Sequence, residues 1–188
     1  MKIDGVSIRV GNVLDYEGKL WVVLKTMHTQ PGKGGAYMQV EMKEIRGRSK
    51  KNVRFRSDET VERAQLEEHS AQFLYSEGEI LNFMDNTSYE TVEVKKEIMD
   101  EIQLKFLSEG GQVTLEMYNG EVIIIRLPET MVMEVVECDA AIKNQTAASS
   151  YKPAILSNGV KITVPPFIEV GDKVVVNIEN LNYLERVK

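Results

Sequence analysis

KLWVVLKTMHTQPGKGGAYMQVEMKE, residues 19–44, reads as two strands around a loop. Lys19–Lys25 is rich in aromatic and β-branched residues, and Ala36 to Glu44 places Met38, Val40 and Met42 on one face. Period-2 alternation of this kind describes a half-buried strand, so the two segments form an antiparallel pair and the residues between them a hairpin loop. That loop sets one lysine, Lys33, among Gly32, Gly34 and Gly35, directly after Pro31.

The same pattern recurs along the chain and predicts an all-β protein. Further strands are expected at Asn52–Phe55, Gln72–Tyr75, Ile80–Met84, Tyr89–Val94, Gln112–Met117, Glu121–Leu127, Val132–Glu137, Val160–Val164 and Lys173–Ile178. Asn119-Gly120 and Asn158-Gly159 are hairpin signals, because both residue types tolerate the positive φ of a tight primed turn. Each pair is followed by a similar x-x-Ile-x-Ile/Val strand and then by proline, a weak internal echo of one hairpin in two barrels. One short helix is expected around Glu97–Leu107, with Ile98, Ile102 and Phe106 on one face.

Charge divides the chain further. Residues 1–64 carry 13 Lys+Arg against 8 Asp+Glu (+5), residues 65–127 carry 4 against 13 (−9), and residues 128–188 carry 6 against 8 (−2). Boundaries at 64/65 and 127/128 give three units, small enough for SH3-like or oligonucleotide-binding (OB) barrels, whose closed sheets leave no exposed edges. A basic first third on an acidic body fits a protein that meets a polyanion at one end. No apolar run approaches the roughly 20 residues of a membrane span, and no secretory signal precedes the first strand, so a cytoplasmic protein without membrane contact is expected. The single cysteine, Cys138, forms no intrachain disulfide, and His28 and His69 give no zinc spacing, so neither metal nor cofactor is expected.

A glycine-rich loop with lysine invites comparison with the phosphate-binding G-x-x-x-x-G-K-[ST] motif. Met27 stands where its first glycine should be and Gly34 where its hydroxyl should be, and the following residues alternate like a strand rather than a helix. Cys138 has no evident histidine partner, so no catalytic constellation is legible and an enzyme is not expected. Taken alone, the loop is a solvated hairpin tip. Its functional reading is that flanking glycines let the backbone approach another surface while Lys33 enters a narrow anionic site, with RNA phosphate the obvious counterpart. Arg46, Arg48, Arg54 and Arg56 lie in the same third as candidate RNA-backbone contacts, Arg54 and Arg56 sharing a face opposite Val53 and Phe55. A basic edge that discourages aggregation is the competing explanation.

The last unit contains Lys152-x-Ala154-x4-Gly159-x2-Ile162-x-Val164-Pro165-x2-Ile168-x2-Gly171. Together with the Pro31-Gly32-Lys33-Gly34 loop and the basic-to-acidic order of three β units, this closely resembles the bacterial elongation factor P family, over the whole chain. The signature residues read as architectural: Gly159 makes a turn, Ile162 and Val164 share a core face, Pro165 ends pairing and Gly171 opens the next turn.

The resemblance implies three small β-barrel domains in an L-shaped, tRNA-like arrangement, an SH3-like (KOW) barrel followed by two OB-like barrels. It implies a monomeric translation elongation factor that binds the 70S ribosome between the peptidyl-tRNA and exit sites and relieves stalling at consecutive prolines. The loop Pro31, Gly32, Lys33 and Gly34 would contact rRNA and the CCA end of peptidyl-tRNA, with Lys33 extended by a modifying enzyme, commonly with β-lysine. Many relatives carry Gly-Asp-Thr in a loop near the exit-site codon, where this chain has Asn144, Gln145 and Thr146. The carboxylate of that motif is therefore missing here. Two other readings are a paralogue with another ribosomal task and a general single-stranded nucleic-acid-binding protein. The latter needs basic grooves with stacking aromatics, which the −9 and −2 units disfavour.

Overall fold

Lys19–Thr29 and Tyr37–Glu44 pair as antiparallel β3 and β4, from Trp21↔Glu44 at one end to Thr29↔Tyr37 at the other, with a register shift between Val23 and Lys25. The computed structural model describes residues 1–32, 34–47, 49–140 and 151–187. Lys33, Arg48, Asn144, Gln145 and Thr146, all singled out from the sequence, lie outside the described residues.

β3 and β4 belong to a six-stranded sheet ordered β1-β6-β2-β3-β4-β5. Its other members are β1 (Lys2–Asp4), β2 (Val13–Tyr16), β5 (Lys50–Arg56) and β6 (Thr60–Arg63). Alternation directs Met38, Val40, Met42 and Phe55 into one core with Ile8, Leu14, Trp21 and Val23. The predicted alternation of β5 is present: Phe55 is buried while Arg54 and Arg56 are exposed. β1, β2 and β6 were not legible because they are three or four residues long. The β2–β3 turn uses Glu17 and Gly18 at φ 54° and 72°, a primed turn without the Asn or Asp that usually marks one.

A second sheet runs β11-β10-β7-β8-β9. It contains β7 (Glu67–Glu77), β8 (Ile80–Asp85), β9 (Thr91–Lys95), β10 (Gln112–Tyr118) and β11 (Glu121–Arg126). Asn119 and Gly120, at φ 51° and 79°, form the predicted primed turn between β10 and β11. The expected helix is shorter than predicted, α1 spanning only Glu101–Phe106 after a 3-10 turn at Lys96–Ile98. Asp100 starts it with a capping box, its carboxylate accepting from the Gln103 amide. The expected apolar face is also corrected: Phe106 is buried, but Ile102 is exposed and Met99, ahead of the helix, is buried instead.

β12 (Thr130–Cys138), β13 (Lys152–Leu156), β14 (Lys161–Val164), β15 (Lys173–Asn177) and β16 (Asn182–Arg186) close into a barrel ordered β12-β13-β14-β16-β15. β14 and β16 run parallel while the other neighbours are antiparallel, and β12 closes against β15. This is the order of a five-stranded Greek-key barrel of OB type. Leu156, Val164, Ile168, Val174 and Val176 fill it, with Phe106 packed into the same cluster. Gly159 sits at φ 79°, but Asn158 does not share its left-handed conformation, so the β13–β14 turn is not the primed turn expected. Instead the Asn158 side-chain oxygen accepts from the Val160 amide, and the Gly159 amide donates to the Leu156 carbonyl. Gly171, at φ 92°, donates its amide to the Val135 carbonyl and so ties the turn before β15 to β12.

By Cα proximity the chain forms two compact units, Met1–His69 with Leu115–Ile124, and Ser70–Thr114 with Ile125–Lys188. Among the described residues, no helix is long and apolar enough to cross a membrane.

Candidate functional site

The β3–β4 loop begins beyond the Thr29↔Tyr37 pair. Its glycines have no packing duty: a Cβ added at Gly32 or Gly35 would meet no heavy atom within 4 Å. At Gly34 it would come no closer than 3.8 Å, to Pro31 Cγ, yet φ +113° there is a conformation that side chains resist. Gly32 and Gly34 are exposed.

Below the tip, register aligns three strands. Thr29, Tyr37 and Arg56 form one row and Met27, Gln39 and Arg54 the next. Partners in a row point to the same side of a sheet, so these residues share the outer face, opposite His28, Met38 and Phe55. Arg54 lies over the Tyr37 ring, 5.2 Å from its centroid. Arg56 is 3.4 Å from Asp58, both side chains being largely exposed. Its backbone carries the edge as well, the Arg56 amide donating to Glu59 Oε2. Arg54 and Arg56 therefore stand beside the arm that carries the loop.

Arg46 does not join them. β4 and β5 pair from Lys43↔Lys50 to Tyr37↔Arg56, which leaves Arg46 in the turn at the opposite end. Six residue steps of strand, about 20 Å, separate the two ends. Arg46 is also already paired, donating through its guanidinium to Glu121 Oε2. Beside it Lys19 Nζ is 2.8 Å from Glu44 Oε1, and the Lys19 hydrogen bond holds the Glu44 carboxyl below its usual range.

Lys51, another cation of the basic run, is hydrogen-bonded to Glu17 and lies 5.0 Å from the Tyr16 ring centroid. That hydrogen bond lowers the Glu17 pKa and raises that of Lys51. Sequence reading missed the Tyr37–Arg54 stack and the Arg46–Glu121 pair, because neither is visible until strand register and a contact 75 residues apart are known.

His28 is an exposed strand residue opposite Met38, and the half-buried Cys138 directs its thiol toward the Ile168 carbonyl. Among the described residues no group of three or more His, Cys, Asp or Glu could hold a metal ion.

Comparison with known proteins agrees with this architecture. Three family models match: the elongation factor P KOW-like domain at residues 5–61, the elongation factor P OB domain at 66–125 and the elongation factor P C-terminal domain at 131–186. The chain is 50% identical to an elongation factor P of Zymomonas mobilis over 186 residues, 99% of each chain. It is 51% identical to an elongation factor P of Rickettsia bellii over 189 residues, 100% of each. A solved structure, the eukaryotic translation initiation factor 5A from Methanococcus jannaschii, is similar with a TM-score of 0.57 and 26% identity, covering 68% of this chain and 94% of that one. The chain therefore belongs to the elongation factor P family, a family of translation elongation factors and not of enzymes.

Proposed function

We propose that the chain acts on the ribosome between the peptidyl-tRNA and exit sites and speeds peptide-bond formation at consecutive prolines by steadying the CCA end of the peptidyl-tRNA. The observation that carries this reading is the open tip. A two-stranded arm ends in Pro31, Gly32, Lys33 and Gly34, where no neighbouring side chain crowds the glycines. A single cation on such a tip suits a narrow RNA-lined site. Arg54 and Arg56 act beside the arm on the RNA backbone, supplying position rather than sequence readout. Arg46 is not assigned to RNA, because it is paired with Glu121 at the other end of the sheet.

Proline is a sterically constrained partner in peptide-bond formation, so a stalled pair loses rate through misplacement. Restoring near-attack geometry supplies several kcal/mol without any acid, base or nucleophile from the factor. In this reading Lys33 is extended by a lysine-modifying enzyme, by β-lysylation, which lengthens its reach. The loop containing Asn144, Gln145 and Thr146 faces the exit-site codon without the carboxylate that many relatives have there. In this reading the chain works in the cytoplasm as a monomer and is organised as units 1–64, 65–127 and 128–188.

The test is full-length yield in a reconstituted translation reaction on a message with consecutive prolines, with factor purified from its native host or with its Lys33→Ala variant. Native factor should restore yield and the variant should not. Equal rescue by both sinks the role of Lys33, and rescue by neither, with ribosomes bound, assigns the protein another ribosomal task.

A further inference from the structure

The β10–β11 hairpin tip, Leu115–Ile124, groups with residues 1–69 rather than with the remainder of its own sheet. Ile123 is buried in a cluster with Val13 and Ala64, ringed by Leu20, Ile45 and Tyr118 among others. The same hairpin carries Glu121, the partner of Arg46, on one side of a cleft of about 360 Å³ that Lys19 and Glu44 also line. These contacts fall where the long arm begins. Leu20, the second residue of β3, accepts a hydrogen bond from the Ile45 amide just after β4, and the Ala64 amide donates to the Val13 carbonyl.

We propose that this hairpin braces the root of the β3–β4 arm, and that Arg46 and Glu121 are positioning residues which aim Lys33 without touching RNA. The proposal rests on the function proposed above. The lever is long: ten residue steps from Lys19 to Thr29 span about 30 Å, so a tilt of about 5° at the root moves the tip by about 3 Å. Misplacement by about 1 Å is enough to cost on the order of a hundredfold in a reaction that depends on near-attack geometry. The brace therefore acts where a small change is amplified. An apolar contact supplies its strength, and the ion pair, being exposed on both sides, fixes its registration.

The experiment uses full-length factor with Arg46→Glu, Glu121→Arg and the double exchange, and reads three quantities. These are the maximal rate of proline–proline bond formation at saturating factor, the factor concentration giving half that rate, and hydrogen exchange at the Ile45 and Ala64 amides. Each single reversal should lower the maximal rate about two- to fivefold, the range open to an exposed ion pair, and speed exchange at both amides by a similar factor. Half-saturation should stay within about twofold, since binding is not what the pair controls, and the double exchange should restore rate and protection together. The Val135 amide of the C-terminal barrel should not change in any variant.

Single variants with wild-type rate and exchange overturn the brace. So does a double exchange that restores nothing, or a loss confined to Arg46→Glu and to half-saturation, which would make Arg46 a direct RNA contact. Wild-type factor that fails to accelerate proline–proline synthesis overturns instead the functional reading on which the positioning role stands.

Discussion

The β3–β4 loop and the C-terminal barrel use their distinctive residues in opposite ways. In the barrel, most of the family signature is interior, its turn glycines Gly159 and Gly171 being exposed: Ala154, Ile162, Val164 and Ile168 are all buried, and Lys152 is 8% exposed with its ammonium donating to the Asp139 carbonyl. At the loop, Gly32 and Gly35 border open space. The C-terminal signature thus mostly holds a fold together, whereas the loop proposed to act is one whose glycines the packing does not need.

Damage to the interior should give the largest effect on stability. Ile168→Ala removes a fully buried side chain from the closed barrel and should cost about 2–5 kcal/mol, read from denaturant unfolding, with unfolding confined to that barrel. A loss below about 0.5 kcal/mol would mean that the barrel collapses around the gap. Gly5→Ala should follow at about 1–3 kcal/mol, because the new Cβ would lie 2.3 Å from the Arg56 backbone carbonyl, which cannot swing aside as a side chain could. Wild-type stability in that variant would show that the edge of the first sheet shifts freely.

Gly32→Ala sharpens the contrast between the regions. With no contact and no positive φ to lose, it should leave stability within about 0.5 kcal/mol, yet raise the factor concentration needed for half-maximal rescue if a ribosomal surface closes on the tip. Unchanged rescue would show that Gly32 is glycine for no steric reason.

The smallest effect concerns pH. Glu17 has its pKa lowered chiefly by the Lys51 hydrogen bond, so its contribution is present above the unfolded-chain value and is lost as pH falls through the folded one. The stability difference between wild type and Glu17→Gln should therefore shrink as pH is lowered from neutrality through the carboxylate range. A constant difference would mean that the pair contributes nothing as charges.

Sequence made many of the strands legible by alternation, but it missed the five-residue β13, although Asn158-Gly159 follows it, and β16. Met38, Val40, Met42 and Phe55 were placed in a core by period alone, and so were Ile162 and Val164. β2 escaped because four residues carry little pattern and Glu17-Gly18 is an unusual primed turn. The helix was overextended because Ile98, Ile102 and Phe106 have helical spacing, whereas the Asp100 cap starts the helix only after Ile98, which lies in the preceding 3-10 turn. At the candidate site, the loop and the outward Arg54 and Arg56 were visible. The Arg46–Glu121 pair was not, since the two residues lie 75 positions apart and pairing across that distance leaves no local pattern.

The central claim is that Lys33 acts by positioning while the rest of the chain supports it. Its most direct test is the single-turnover rate of proline–proline bond formation on ribosomes saturated with native factor or with Lys33→Ala, using a pair of non-proline residues as control. Native factor should raise the proline–proline rate at least about tenfold and leave the control unchanged, and Lys33→Ala should bind and unfold as wild type while accelerating neither. Equal acceleration of proline–proline synthesis by the variant would contradict the account.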